Sequence, residues 1–224
     1  LYAVPPREET YGHTEIIIGN WFKKSNKRDK VILATKVAGP MRAYLRGGGN
    51  NYGIEKMTQA VNDSLKRLQT DYIDLYQLHW PERNVPMFGD YKFDPNDDYL
   101  NEKKINWVSI EEQLLSIEHL IKAGKVRYFA LSNEWPWGLM EFIRLAKIKN
   151  LPLVCTLQNS YSLINRIVEL GMTEIFFREK LSFFSYSPLG FGYLSGKYIK
   201  DPMAAGRVNL FPGYAQRYNK SGVR

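Results

Sequence analysis

Five stretches that read as extended chain carry, at their carboxyl ends, a side chain able to do acid-base chemistry or hold a polar ligand: Lys36, His79, Ser132 with Asn133, Gln158 and Tyr186. Each has a plain structural use when taken alone, since a strand-end lysine can reach water and a histidine can be held inside by its neighbours. Their shared position raises them together, because the carboxyl edge of a parallel α/β sheet is where ligands gather. The stretch 70–83 shows the pattern most clearly. Tyr72, Asp74 and Tyr76 alternate with Ile73, Leu75 and Gln77, as a strand requires. The run stops at His79-Trp80-Pro81, where proline removes a backbone donor and forces the residue before it out of helical geometry.

The elements that must carry these residues alternate along the chain. A helix is expected over 14–24, a strand over 31–36, and a helix over 54–69 in which Ile54, Met57, Val61, Leu65 and Leu68 recur at spacings of three and four. The strand before His79 follows. Ser109 with Glu112 makes a capping box for a helix ending at Gly124, and then come a strand over 126–133 and a helix over 137–149. A strand over 153–159, a helix over 165–179 and a strand over 181–188 complete the series. Apolar strands, intervening helices and no hairpin signals make a parallel α/β protein, either a barrel or an open doubly wound sheet. No Gly-x-Gly-x-x-Gly follows a strand, which favours the barrel. Gly47-Gly48-Gly49-Asn50-Asn51 reads as a flexible loop tip. The polar stretch 82–107 is long for a connection in a compact domain and, coming after His79, is expected to cover the substrate mouth.

Composition sets wider bounds. A chain of 224 residues, 44% hydrophobic and 24% charged, suits a single soluble α/β domain. No apolar run reaches the ~18 to 20 residues of a membrane-spanning helix, so a cytoplasmic location with no membrane partner is expected. Cys155, the single cysteine, lies in an apolar run and reads as a small core residue, with no disulfide framework possible. The net charge of +8 admits nucleic acid or a phosphorylated small molecule. The densest basic run, 23–30, falls at a helix end where cations suit the dipole, so no nucleic-acid partner is expected. No metal site is read.

The stretches 64–79, Gly124-Lys125-Val126-Arg127-Tyr128, Leu131-Ser132-Asn133 and 185–198 resemble the aldo-keto reductase superfamily. Tyr2-Ala3-Val4-Pro5-Pro6-Arg7 and His79-Trp80-Pro81 are most similar to its bacterial Tas-type branch, which is related to the potassium-channel β-subunits. The resemblance runs nearly end to end. It implies a parallel (β/α)8 TIM barrel, incomplete here, with about five full strands, roughly the third to the seventh, plus the end of the second. The chain is expected to be a fragment lacking both ends, poorly stable alone.

The resemblance also implies chemistry. Family members move a hydride between NADPH and a carbonyl or alcohol, using a tetrad in which Tyr2, Lys36 and His79 match the tyrosine, lysine and histidine; the aspartate would precede the chain. A phenol with pKa near ~10 is a weak acid at neutral pH, and a neighbouring ammonium favours its phenolate. By the same resemblance, Ser132, Asn133 and Gln158 bind the nicotinamide carboxamide and Tyr186 stacks on the ring. The segment Ser187, Pro188, Leu189, Gly190, Gly192 and Lys197, with Arg207, covers the phosphate side. Trp80 and Trp135 or Trp137 line the substrate pocket. The expected function is an NADPH-dependent reductase of small aldehydes and ketones, NAD not excluded. The alternative is a cofactor-sensing regulatory subunit with little turnover. Substrate identity and oligomeric state are not legible in the sequence.

Overall fold

A computed structural model describes residues 6–39, 43–48, 52–87, 89–96, 107–211, 213 and 216–218. Five parallel strands form one sheet in the order β1 (Ala34–Val37), β2 (Ile73–Leu78), β3 (Val126–Ser132), β4 (Thr156–Ser160) and β5 (Ser182–Tyr186). Between them run α1 (His13–Ser25, before β1), α2 (Ile54–Leu68), α3 (Ile110–Lys122), α4 (Pro136–Lys149) and α5 (Thr173–Glu179), and two short helices, α6 (Lys197–Lys200) and α7 (Arg207–Leu210), follow β5. Each strand pairs with the next in sequence. That strand order is the one a (β/α)8 barrel uses, and the five strands form an unclosed part of one.

Register divides the sheet into two faces. In a parallel ladder directly paired residues point the same way, and residues two apart share a face. Val37 pairs with Leu78, Tyr76 with Phe129, Leu78 with Leu131, and Leu131 with Leu157. These side chains join Met57 and Val61 of α2, Leu114 and Ile117 of α3, and Phe142 and Ala146 of α4 in one buried apolar cluster. The capping box holds: the Ser109 hydroxyl accepts from the Glu112 N–H at 3.2 Å, and the Ser109 N–H donates to the Glu112 carboxylate at 2.9 Å.

Three elements differ most from the sequence reading. The first strand starts at Ala34 rather than 31, because the Val31 carbonyl accepts from Arg28 and the Leu33 N–H donates to the Asp74 carboxylate instead of entering a ladder. The strand expected over 153–159 runs Thr156–Ser160; Leu153 is exposed after Pro152, and pairing begins where the Cys155 N–H meets the Phe129 carbonyl. The helix expected over 165–179 is two pieces, a tight turn Ile167–Leu170 and α5. Asn165 cannot open a helix because it pairs with Ser162 through both backbone groups, and Gly171, a poor helix former, separates the pieces. The basic run also resolves: Arg28 turns inward to the Asp74 carboxylate at 2.7 Å and over the Tyr72 ring.

Candidate functional site

Lys36 pairs in register with Gln77 on the neighbouring strand, and His79 lies two residues beyond Gln77, so Lys36 and His79 share the face opposite the helices. With a strand spacing near ~4.8 Å and a rise near ~3.3 Å per residue, their backbones stand roughly 8 Å apart. Lys36 is half-buried, and desolvation lowers its amine from the usual 10.5 to about 8. His79 is buried, its ring 6.0 Å from that of Trp80. Tyr2 lies outside the described residues. Lys36 is the penultimate residue of its strand and Gln158 sits two before the end of β4, so the edge is staggered rather than level.

The same face continues across the sheet. Ser132 pairs with Gln158, Gln158 with Phe184, and Ser160 with Tyr186. At Asn133 the backbone turns into the left-handed region, φ 57°, which a short amide side chain tolerates better than a bulky one. That turn sends its amide back along the edge. Nδ2 donates to the His79 carbonyl at 2.9 Å and to Ser132 Oγ at 3.2 Å, while Oδ1 accepts from the Tyr186 hydroxyl at 2.6 Å. Ser132 Oγ donates to the Gln158 carbonyl at 2.9 Å. The network ties together four neighbouring strands, β2, β3, β4 and β5, and holds the Tyr186 ring by its hydroxyl edge. Lone hydroxyls and amides become a fixed polar platform in this way.

Beside the platform lies a cleft of about 190 Å³. Trp80, Pro86, Met87 and Trp135 form much of its apolar wall, and Asn133, Asn159 and Tyr186 contribute polar groups. The described part of the long connection therefore lines the cleft. Its placement comes from a buried ion pair: Arg83 reaches the Glu134 carboxylate through both terminal nitrogens, at 3.0 and 2.5 Å, and the Trp135 indole donates to the Pro86 carbonyl at 2.9 Å. Glu134 also accepts from the Trp135 N–H at 2.6 Å, which satisfies a carboxylate that would otherwise be costly to bury.

Of the three tryptophans expected at the pocket, Trp80 and Trp135 line the cleft and Trp137 does not. Trp137 is 66% exposed in the first turn of α4, where the Arg83 guanidinium lies 5.1 Å from its ring centre. The helix phase turns its neighbour Pro136 to the cleft and Trp137 outward. The phosphate-side residues form a separate group after β5. Ser187 has φ 56°, Pro188 and Leu189 are exposed, and Gly190 and Gly192, at φ 52° and 103°, allow the sharp coil that follows. Lys197 Nζ donates to the Ala205 carbonyl at 3.0 Å, and Arg207 lies over the Phe191 ring.

Three contributors escaped sequence reasoning: Glu134, Asn159 and Arg217. Arg217 belongs to the short turn Gln216–Tyr218, lines the cleft and donates to the Tyr186 hydroxyl at 3.1 Å. Next to it Tyr218 is buried, its hydroxyl 3.1 Å from Ser160 Oγ. Glu134 and Asn159 immediately follow Asn133 and Gln158, so a wider window at the strand ends would have found them; no local signal marks Arg217. Among the described residues no group of three or more His, Cys, Asp or Glu is placed to hold a metal ion, and no helix is long and apolar enough to cross a membrane.

Comparison with known proteins gives a consistent result. Residues 9–215 match the model of the Aldo/keto reductase family. The chain is 41% identical over 221 residues to Protein tas of Escherichia coli, covering 98% of this chain and 62% of that protein, so it spans less than two thirds of that relative's length. It is 40% identical over 203 residues to an aldo-keto reductase of Babesia bovis, covering 86% and 70% respectively. Among solved structures it is similar to an aldo/keto reductase from Klebsiella pneumoniae in complex with NADP and acetate. The TM-score is 0.58 and the identity 24%, over 86% of this chain and 53% of that one.

Proposed function

Because this chain belongs to the aldo/keto reductase family, we propose that it is the core of an NADPH-dependent oxidoreductase that reduces small aldehydes and ketones to alcohols. The observation that carries the reading is the register: an amine, an imidazole, two amides, a hydroxyl and a phenol ring share the face opposite α2, α3 and α4 and its carboxyl edge. The groups present fit a nicotinamide. A phenol ring held by its hydroxyl edge beside Asn133 and Gln158 offers a flat surface to stack on, with the Gln158 amide and the second lone pair of Asn133 Oδ1 for a carboxamide. In this reading Ser132, Asn133, Gln158 and Tyr186 hold the ring, and Ser187 to Gly192, Lys197 and Arg207 serve the phosphates. The bound cofactor supplies the hydride that reaches the carbonyl carbon.

The chain's own residues manage the proton and the charge. Tyr2 would donate to the developing alkoxide, and a nearby ammonium at Lys36 would lower the cost of its phenolate. An amine near pKa 8 is poised for that task, since it remains mostly protonated at neutral pH yet responds to its surroundings. His79 would orient the carbonyl from the adjoining strand.

The test is to follow NADPH absorbance with a panel of small aldehydes. Carbonyl-dependent loss of absorbance is expected, and Tyr2→Phe should cut turnover by roughly 10²- to 10⁴-fold while leaving cofactor binding measurable. Turnover insensitive to Tyr2 would remove the acid assignment. Tight cofactor binding with no turnover of any carbonyl would favour a cofactor-sensing role.

A further inference from the structure

The cleft holds a cation, Arg217, to which the proposed reduction assigns no step. Arg28, Arg67, Arg83 and Arg127 each meet a carboxylate, whereas Arg217 has none in ion-pair contact among the described residues. Its hydrogen-bond partner is the Tyr186 hydroxyl, which takes one terminal nitrogen. Glu134, an acidic group on the same cleft, is already engaged by Arg83 through both oxygens, and Asp90 at the rim is exposed. Asn159 adds an amide oxygen that is buried without a partner, its nitrogen being turned to the Glu134 carbonyl at 2.8 Å.

A guanidinium on an apolar wall has two consequences. Partial removal from water strengthens its attraction for an anion, and its planar fork matches the two oxygens of a carboxylate better than a point charge does. The walls beside it, Trp80, Met87, Trp135 and Met172, suit an aromatic or aliphatic body. We propose that this cleft takes carbonyl substrates that carry a carboxylate on an apolar frame, with the carboxylate seated on Arg217 and a ligand N–H or O–H available to Asn159. The assignment of that ligand as substrate rests on the reductase reading above. A phosphate oxygen of the cofactor has the same chemistry, so the experiment separates the two.

Trp80 and Trp135 supply a binding signal that does not depend on turnover. In the full chain, benzoate should change tryptophan fluorescence at concentrations at least about tenfold below those needed for benzyl alcohol, the ratio one charge-assisted hydrogen-bonded pair provides. Arg217→Gln should erase that difference, and Arg217→Lys, which keeps the charge and loses the fork, should retain part of it. A thermal melt of both variants separates loss of binding from loss of fold. In turnover, the kcat/KM ratio of para-carboxybenzaldehyde to its methyl ester should fall about tenfold in Arg217→Gln. Equal binding of benzoate and benzyl alcohol to the parent chain would overturn the proposal. So would an unchanged ratio with a raised KM for NADPH, which would give Arg217 to the cofactor phosphates. If no aldehyde is reduced, the reductase reading fails while the benzoate comparison still decides the anion site.

Discussion

On the helix-covered face of the sheet, Tyr76, Leu78, Phe129, Leu131 and Leu157 are each no more than 3% exposed, whereas on the opposite face Tyr128 and Phe184 are 64% and 44% exposed. The second face is not simply bare. It also buries Gln77, His79 and Ser132, and it carries the half-buried Lys36, Gln158 and Tyr186. One face follows the requirement to remove apolar area from water, and the other gathers polar groups toward a common edge. The same five strands thus provide a scaffold on one side and a chemical surface on the other, and the period of two along each strand keeps the two from interfering.

The contrast is testable by truncating one ring on each face. Phe129→Ala should lower unfolding free energy by about 3 to 5 kcal/mol, while Phe184→Ala should cost under about 1 kcal/mol, as read from urea unfolding midpoints. Equal losses would break the comparison. A smaller effect concerns charge. Lys36 binds its proton less tightly when folded, near 8 against 10.5, so the unfolded chain holds more protons between those values and stability should rise as pH climbs through that window. Lys36→Met should remove that rise and add up to about 3 kcal/mol at neutral pH, measured by denaturation across pH. The platform itself gives a further test: Tyr186→Phe deletes a donor to Asn133 and an acceptor for Arg217, and should cost about 1 kcal/mol in the same urea titration.

Much of this was legible before any coordinates. The spacing of Met57, Val61, Leu65 and Leu68 placed α2 to within a residue, and Ser109 with Glu112 marked the start of α3 by a local hydrogen-bonding logic. The alternation through 72–77 and the proline after Trp80 located His79 at a strand end. Errors arose where specific hydrogen-bond partners or helical phase overrode the expected pattern. Asp74 captured the Leu33 N–H from 41 residues away, which shortened β1. Ser160 and Ser162 captured Asn165, which broke the expected helix. Trp137 looked like Trp135 in sequence, but two residues of helical phase carried it to solvent.

The sequence by itself determined the alternating strand and helix order and the side chains carried near the strand ends, because hydrophobic period, caps and prolines act over a few residues, and its motifs carried the resemblance to the aldo/keto reductase family. Tertiary structure alone decided which of those side chains meet. Asn133 joins His79 and Tyr186 across 54 and 53 residues, Arg83 finds Glu134 across 51, and Arg217 reaches Tyr186 across 31. Contacts of that reach depend on the register between strands and the path of the connections. Those are set by how the whole helix-covered face packs, and no short window of sequence contains them.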